Sequence, residues 1–295
     1  MAGEIERRVS AQDGLSLFYR DWPGPNDGRG RLPLLCLSGL SRNSRDYLQL
    51  GEREGRRRRV VALDYRGRGR SERPADWRSY DPLVYLRDLG HLLAAAGLER
   101  FCVVGTSLGG FLAMGLAVAH PMSLAGAVLN DAGPGVSTGS LGRLVEHLGE
   151  DRPKADLDTA TAYLQALFGE TIGFREQATW RRFAEASYRL GDDGLLHVDW
   201  DPRIVEPLKR GRPLPDLWTL WRGLARVPTL ALRGARSPLL SAEAFRAMGE
   251  GHTCLTRLEV AGLGHAPSLE EPEVLDALEV FLAELDRREG FAPPA

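Results

Sequence analysis

The chain has 295 residues, of which 43% are hydrophobic and 26% charged, and its formal net charge at pH 7 is -2. This balance predicts a globular protein and gives no indication of nucleic-acid binding. No uninterrupted apolar stretch reaches the roughly 20 residues of a membrane-spanning helix, and the N-terminus lacks the apolar segment of a secretion signal. We therefore expect a cytoplasmic protein, monomeric or homodimeric, whose partner is a small molecule.

Short aliphatic runs alternate with helix-length segments along much of the chain. The runs occupy residues 33–39, 59–65, 101–107, 124–131, 227–234 and 256–262. Near-continuous apolar strands interleaved with helices are typical of a parallel sheet that is covered on both faces. Upstream, two polar-apolar segments flank Asp13 and Gly14, which predicts an antiparallel hairpin at the edge of the sheet.

This alternation stops between residues 132 and 226, where helical patterns dominate and no good strand pattern occurs. We predict an α/β fold in three parts: a first core segment (1–131), an inserted helical cap (132–226) and a second core segment (227–295). The cap sequence carries four of the six tryptophans and several other aromatic residues. We expect most of them to pack the cap onto the core and a few to line a pocket between the two layers.

Two further groups of residues predict structure without pointing to a cofactor. Cys36 and Cys102 lie inside apolar strand patterns, and the three cysteines of the chain form no metal-like cluster, so we expect buried thiols and no metal or organic cofactor. The basic run 56–59 precedes an apolar strand, and we interpret it as a solvated helix end.

The strongest local motif is Gly105-Thr106-Ser107-Leu108-Gly109, which lies between an apolar strand and a helical pattern. A sharp strand-to-helix turn needs glycines on both sides of the serine because the backbone passes close to its neighbours. Such a turn exposes the serine hydroxyl above the sheet at a helix N-terminus. Ser107 is therefore the candidate nucleophile.

Together with "LSGLSRNSRDY", "LDYRGRGRSERP" and "GLGHAPSLEEP", this motif resembles the α/β-hydrolase family over nearly the whole chain. The resemblance implies an α/β-hydrolase fold with an eight-stranded, mostly parallel sheet. In that family the third-strand loop commonly begins His-Gly, whereas this chain has Ser38 before Gly39. An oxyanion donor in this loop uses the main chain, so the resemblance assigns the two donors to the amides of Leu40 and Leu108.

A serine hydroxyl needs a nearby base to take its proton. His265 follows the last predicted strand in a Gly-x-Gly-His loop, where the family carries its catalytic histidine. The other histidines lack such a setting, and we interpret them as surface or structural residues. Asp64 and Arg66 match a family loop whose role is structural.

The expected carboxylate partner of the histidine is missing from its usual loop, which here reads Ser237-Pro238. Neither residue supplies a charge. The sixth strand ends at Asn130-Asp131, and its end lies roughly 5 Å from the next strand in a doubly wound sheet. Some α/β-hydrolases carry their acid there, so we assign it to Asp131. Glu243 is a weaker candidate because it fits a helix start with Ser241.

These residues predict a serine hydrolase, a carboxylesterase of small to medium, partly apolar esters, that works through an acyl-enzyme. Two alternatives stay open. The first is a carbon-carbon bond hydrolase of the same fold. The second is a non-catalytic ligand-binding protein that has lost its triad acid.

Overall fold

A computed structural model describes residues 3–25, 30–135, 141–211 and 215–291. The strands are β1 (Ile5–Ser10), β2 (Ser16–Trp22), β3 (Leu34–Leu37), β4 (Val60–Leu63), β5 (Phe101–Thr106), β6 (Leu124–Asn130), β7 (Tyr188–Leu190), β8 (Leu196–Val198), β9 (Thr229–Gly234) and β10 (Leu255–Val260). The helices are α1 (Leu48–Glu54), α2 (Pro82–Ala96), α3 (Leu108–Ala119), α4 (Leu141–Leu148), α5 (Leu157–Phe168), α6 (Gln177–Ser187), α7 (Glu206–Lys209), α8 (Leu217–Arg222), α9 (Ala242–Ala247) and α10 (Pro272–Arg288).

Eight strands form one sheet in the order β1-β2-β4-β3-β5-β6-β9-β10. β1 and β2 run antiparallel and join the sheet through an antiparallel pairing of β2 with β4, while the pairs from β4 to β10 are parallel. The eight-stranded, mostly parallel sheet predicted from the sequence is confirmed, as is the edge hairpin around Asp13 and Gly14. In this order β9 lies beside β6, which brings the ends of these two strands together.

Alternating strand residues divide the hydrophobic core between the two faces of the sheet. Leu35 and Leu37 pack in a cluster with residues of α2 and α3, whereas Leu34 and Cys36 pack in a second cluster with residues of α10. Every residue of β3 is buried, as a strand covered on both faces requires. Cys36 and Cys102 are buried free thiols, as expected.

The chain between β6 and β9, which we call the inserted segment (residues 132–226), contains α4 to α8 among its described residues. It also contains β7 and β8, which pair antiparallel as a short separate hairpin. The expectation that this region lacks strands was therefore wrong. Each of these strands is only three residues long, too short for the alternation of a strand to stand out in the sequence.

The basic run before β4 also differs from its sequence interpretation. Arg58 is buried, and its guanidinium donates to Asp286 of α10 and to Glu54 of α1. Arg59 pairs with Asp21, while Arg56 and Arg57 are exposed. Only the first half of the run is a solvated surface. A membrane-crossing helix, long and apolar enough to span a bilayer, is absent from the described residues.

Candidate active site

Ser107 lies in the sharp turn between β5 and α3. Its backbone has φ 52° and ψ -113°, a left-handed conformation that is costly for a residue other than glycine. A Cβ on Gly105 would overlap the backbone of Gly109, and a Cβ on Gly109 would overlap the Leu37 carbonyl oxygen of the neighbouring strand. The glycines of the motif are therefore required by close backbone packing. This geometry presents the serine side chain at the end of the sheet.

Asp131 directly follows β6, where its main-chain N–H donates to the Leu232 carbonyl of β9 at 2.9 Å. Its side chain is fully buried. The Oδ1 atom accepts the amide of Gly234 at 3.0 Å, and the Oδ2 atom lies 2.6 Å from His265 Nδ1. The structure thus brings Asp131 and His265 together, although they are far apart in the sequence.

Ser237 supplies one more hydrogen bond to the same carboxylate. Its hydroxyl donates to Asp131 Oδ2 at 2.5 Å and accepts the amides of Leu239 and Leu240 at 3.2 and 3.1 Å. From the sequence, this serine is expected only as an inadequate replacement for the acid, and its hydrogen bond to Asp131 was not predicted. Its position just after β9, beside the end of β6, was the available signal.

Two residues after His265, the chain is fixed by an amide side chain. Asn130 Nδ2 donates to the Pro267 carbonyl at 2.9 Å and to Thr106 Oγ1 at 3.2 Å. Asn130 is the last residue of β6, and Thr106 is the last residue of β5. The ends of two strands therefore hold the chain after His265 beside the serine turn.

The loop after β3 approaches Ser107 from the other side. A Cβ on Gly39 would lie 3.8 Å from Ser107 Cβ, so this backbone passes directly beside the serine. Arg68 is buried and donates from Nε to the Leu40 carbonyl at 2.7 Å, which fixes the orientation of that peptide. Within the described ranges, the amides of Leu40 and Leu108 have no hydrogen-bond acceptor. Two main-chain donors therefore remain free near the serine.

The loop after β4 contains Asp64 and Arg66, for which the sequence predicts a structural role, and both form hydrogen bonds within the protein. Asp64 is buried and accepts the amides of Ser44 and Arg70 at 2.7 and 2.8 Å, while burial raises the pKa of its carboxyl. Arg66 pairs with Asp88 and Asp13. Glu243 is exposed in α9. Ser241 caps the N-terminus of this helix, because its hydroxyl accepts the Ala244 amide at 3.0 Å.

A cavity of about 700 Å³ lies between the sheet and the inserted segment. Leu40, Ser107 and His265 are among the core residues that line it. The inserted segment contributes aromatic side chains, as expected from the sequence: Phe168, Phe174, Phe183 and Trp200.

A histidine of the inserted segment, His147, also lines this cavity. His147 is buried, with its Nδ1 atom 3.3 Å from the Tyr163 hydroxyl. Burial, aided by the positive charges of Arg152 and Lys154, lowers the pKa of His147 to about 4. The imidazole is therefore neutral near pH 7, so this wall of the cavity carries no histidine charge.

Comparison with known proteins gives the same fold. Residues 34–278 match the model of the alpha/beta hydrolase family. The chain belongs to this family. One similar structure is that of an alpha/beta hydrolase from Novosphingobium aromaticivorans, with a TM-score of 0.89 and 38% identity, covering 96% of this chain and 99% of that one.

Two other proteins that are similar to this chain have more specific names. A 3-hydroxybutyrate-oligomer hydrolase from Cupriavidus necator is 32% identical over 266 residues, which are 87% of this chain and 89% of that protein. The structure of E-2-(acetamidomethylene)succinate hydrolase superposes with a TM-score of 0.80 and 26% identity, covering 95% of this chain and 99% of that one. Both are named as hydrolases.

Proposed function

We propose that this protein is a serine hydrolase that cleaves carboxylic esters through an acyl-enzyme. The observation that carries the proposal is the 2.6 Å contact between Asp131 Oδ2 and His265 Nδ1, together with the shared cavity that both His265 and Ser107 line. A buried carboxylate on one ring nitrogen leaves the other nitrogen free to act on the serine hydroxyl. This arrangement also argues against the non-catalytic alternative, because the acid missing from the Ser237 loop is supplied by the neighbouring strand.

In the proposed reaction, Ser107 Oγ attacks the ester carbonyl while His265 takes the hydroxyl proton. The tetrahedral intermediate places its negative oxygen near the free amides of Leu40 and Leu108, which stabilise it. His265 then protonates the departing alcohol, leaving an acyl group on Ser107. Water, deprotonated by His265, then attacks this acyl group. The bond from the acyl carbon to Ser107 Oγ breaks, His265 returns the proton to Oγ, and the acid is released. Asp131 orients the imidazole and stabilises its charged form throughout.

The cavity supports the proposed substrate class. Its volume of about 700 Å³ is within the range of small-molecule sites, and the inserted segment supplies aromatic walls. We therefore propose small to medium, partly apolar esters, with residues 132–226 acting as the cap over them. The similarity to a protein named 3-hydroxybutyrate-oligomer hydrolase supports this class, because hydroxy acids form oligomers through ester bonds.

Turnover of p-nitrophenyl butyrate by the wild type and by Ser107→Ala tests the proposal. We expect the variant to lose turnover by at least about 10³-fold, since only binding and the oxyanion donors would remain. Ser10→Ala, on the exposed edge strand β1, is the matched control and should keep wild-type turnover. Equal activity in the wild type and Ser107→Ala would contradict the proposal.

A further inference from the structure

The loop that carries His265 is hydrogen-bonded to the inserted segment through its own main chain. The His265 amide donates to the Thr171 carbonyl at 2.7 Å, and the Gly264 amide donates to the Ile172 carbonyl at 2.7 Å. The two bonds involve consecutive residues on both sides, so they fix the direction of the loop as well as its distance. The backbone of His265 is therefore held by a part of the chain outside the sheet.

Gly264 allows the close approach that these bonds need. A Cβ on Gly264 would overlap the Thr171 carbonyl oxygen, and a Cβ on Gly234, at the end of β9, would overlap the Gly264 carbonyl oxygen. The backbone of Gly264 is thus packed between the end of β9 and the inserted segment. Because its φ lies outside the left-handed region, the need for glycine here comes from packing against these two neighbours.

Charged side chains of the inserted segment hold the same loop on either side of His265. Arg175 donates to the Ala261 carbonyl at 2.9 Å and pairs with Glu273, at the start of α10, at 2.7 Å. Arg182 pairs with Glu270. One short stretch of the inserted segment therefore contacts the histidine loop before, at and after the histidine.

We propose that residues 171–182 position His265, so that the placement of the base depends on how the inserted segment docks on the core. Asp131 fixes the direction of the imidazole ring through Nδ1, whereas the Thr171 carbonyl fixes the backbone from which the ring extends. The inference rests on the proposed function, because it takes His265 to be the base. It assigns the inserted segment a part in catalysis beyond covering the substrate.

The two roles give different kinetics. If the inserted segment only covers the substrate, loosening its contact with the histidine loop raises KM and leaves kcat unchanged. If it positions His265, the same change lowers kcat with little effect on KM, because the base is misplaced in the transition state. A displacement of about 1 Å can reduce catalysis by roughly 100-fold.

Gly264→Ala is the most direct test, because the added methyl group pushes Thr171 away without forcing an unusual φ. We expect kcat for p-nitrophenyl butyrate to fall by about 10- to 100-fold, with KM within about twofold of the wild type. The control is Gly142→Ala in α4 of the inserted segment, where a Cβ meets no atom of the described residues within 4 Å. Gly142→Ala should retain wild-type kcat and KM.

Arg175→Met gives a second variant that can be relied on to fold, because the side chain of Arg175 is 44% exposed. Loss of its bonds to Ala261 and Glu273 should lower kcat by about threefold, within the range for an exposed ion pair, again without a rise in KM. If circular dichroism shows that Gly264→Ala is unfolded, the kcat and KM of Arg175→Met test the inference. A raised KM with unchanged kcat in the folded variants would overturn the inference.

A measurement without substrate separates this inference from the proposed function. The Nδ1–H of His265, hydrogen-bonded to Asp131, should give a downfield proton resonance in the wild type and in Gly142→Ala. We expect this resonance to shift or broaden in Arg175→Met and Gly264→Ala. An unchanged resonance in both variants would overturn the positioning role. Ester turnover that survives Ser107→Ala would overturn the proposed function, whereas the resonance reports the placement of His265 without substrate.

Discussion

The Ser237 hydroxyl donates to Asp131 Oδ2 at 2.5 Å, on the same oxygen that contacts His265. The loop after β9 therefore lacks the carboxylate but still takes part in the site, because it supplies a donor to a carboxylate from β6. With the Gly234 amide on Oδ1, the buried Asp131 side chain has a partner for each oxygen besides the histidine. These hydrogen bonds satisfy both carboxylate oxygens of a buried side chain and fix its orientation.

Ser237→Ala should lower both stability and turnover. The change removes the donor to Asp131 and leaves the amides of Leu239 and Leu240 without their acceptor. We expect the free energy of unfolding in urea to fall by about 1–3 kcal/mol and kcat to fall by roughly 3- to 10-fold.

Ser241→Ala, in the same loop, is the control for a purely structural effect. It removes the N-cap of α9, so the free energy of unfolding should fall by about 1 kcal/mol while kcat stays at the wild-type value. Wild-type kcat in Ser237→Ala would show that its bond to Asp131 has no catalytic consequence.

Asp131→Asn should reduce kcat by about 10⁴-fold, because an amide can neither hold the imidazole in the required tautomer nor stabilise its charge. Adding Ser237→Asp should raise kcat by at least roughly tenfold over Asp131→Asn. The side chain at position 237 contacts Asp131 Oδ2, the oxygen next to His265, so a carboxylate introduced there lies close to the imidazole. Steady-state kinetics with p-nitrophenyl butyrate measures both effects.

Glu243→Gln is the matched change at the other acidic candidate. Glu243 is exposed in α9, and we expect full turnover after its substitution. A near-normal Asp131→Asn together with an inactive Glu243→Gln would mean that the acid is wrongly assigned.

His147 should make the wild type sensitive to mild acid. Its pKa is lowered to about 4 in the folded protein, against about 6.5 in an unfolded chain, so the unfolded state binds more protons between these values. The stability contributed by the neutral imidazole is complete above about pH 6.5 and is lost as the pH falls towards 4, by up to about 3 kcal/mol. Urea unfolding across this range should show a smaller loss in His147→Gln. Parallel curves for the two proteins would contradict the assignment.

The strands of the sheet were predictable because they depend on short-range patterns, and the position of Asp131 was predictable from the sheet and the resemblance to the α/β-hydrolase family. Apolar runs mark buried parallel strands, and the ends of neighbouring parallel strands meet at one edge of the sheet. The step from Ser237 to Asp131 needed the knowledge that β6 and β9 are neighbours and that some α/β-hydrolases carry their acid after the sixth strand.

Other features were not predictable, for physical reasons. The hydrogen bond from the His265 amide to the Thr171 carbonyl joins two main-chain groups, and every residue type has a main-chain carbonyl, so the sequence does not indicate this acceptor. Arg58 is buried against Asp286, from the far end of the chain, so its local sequence resembles that of a solvated arginine. In both cases the partner is fixed by tertiary packing.

Mass spectrometry of the protein quenched during turnover of p-nitrophenyl acetate tests the central claim most directly, since the proposed mechanism stores an acetyl group on one oxygen. We predict an acetylated peptide that contains Ser107, formed together with a burst of p-nitrophenol and absent from Ser107→Ala. Hydrolysis at the wild-type rate in Ser107→Ala, with no acetyl group on the Ser107 peptide of the wild type, would contradict the account.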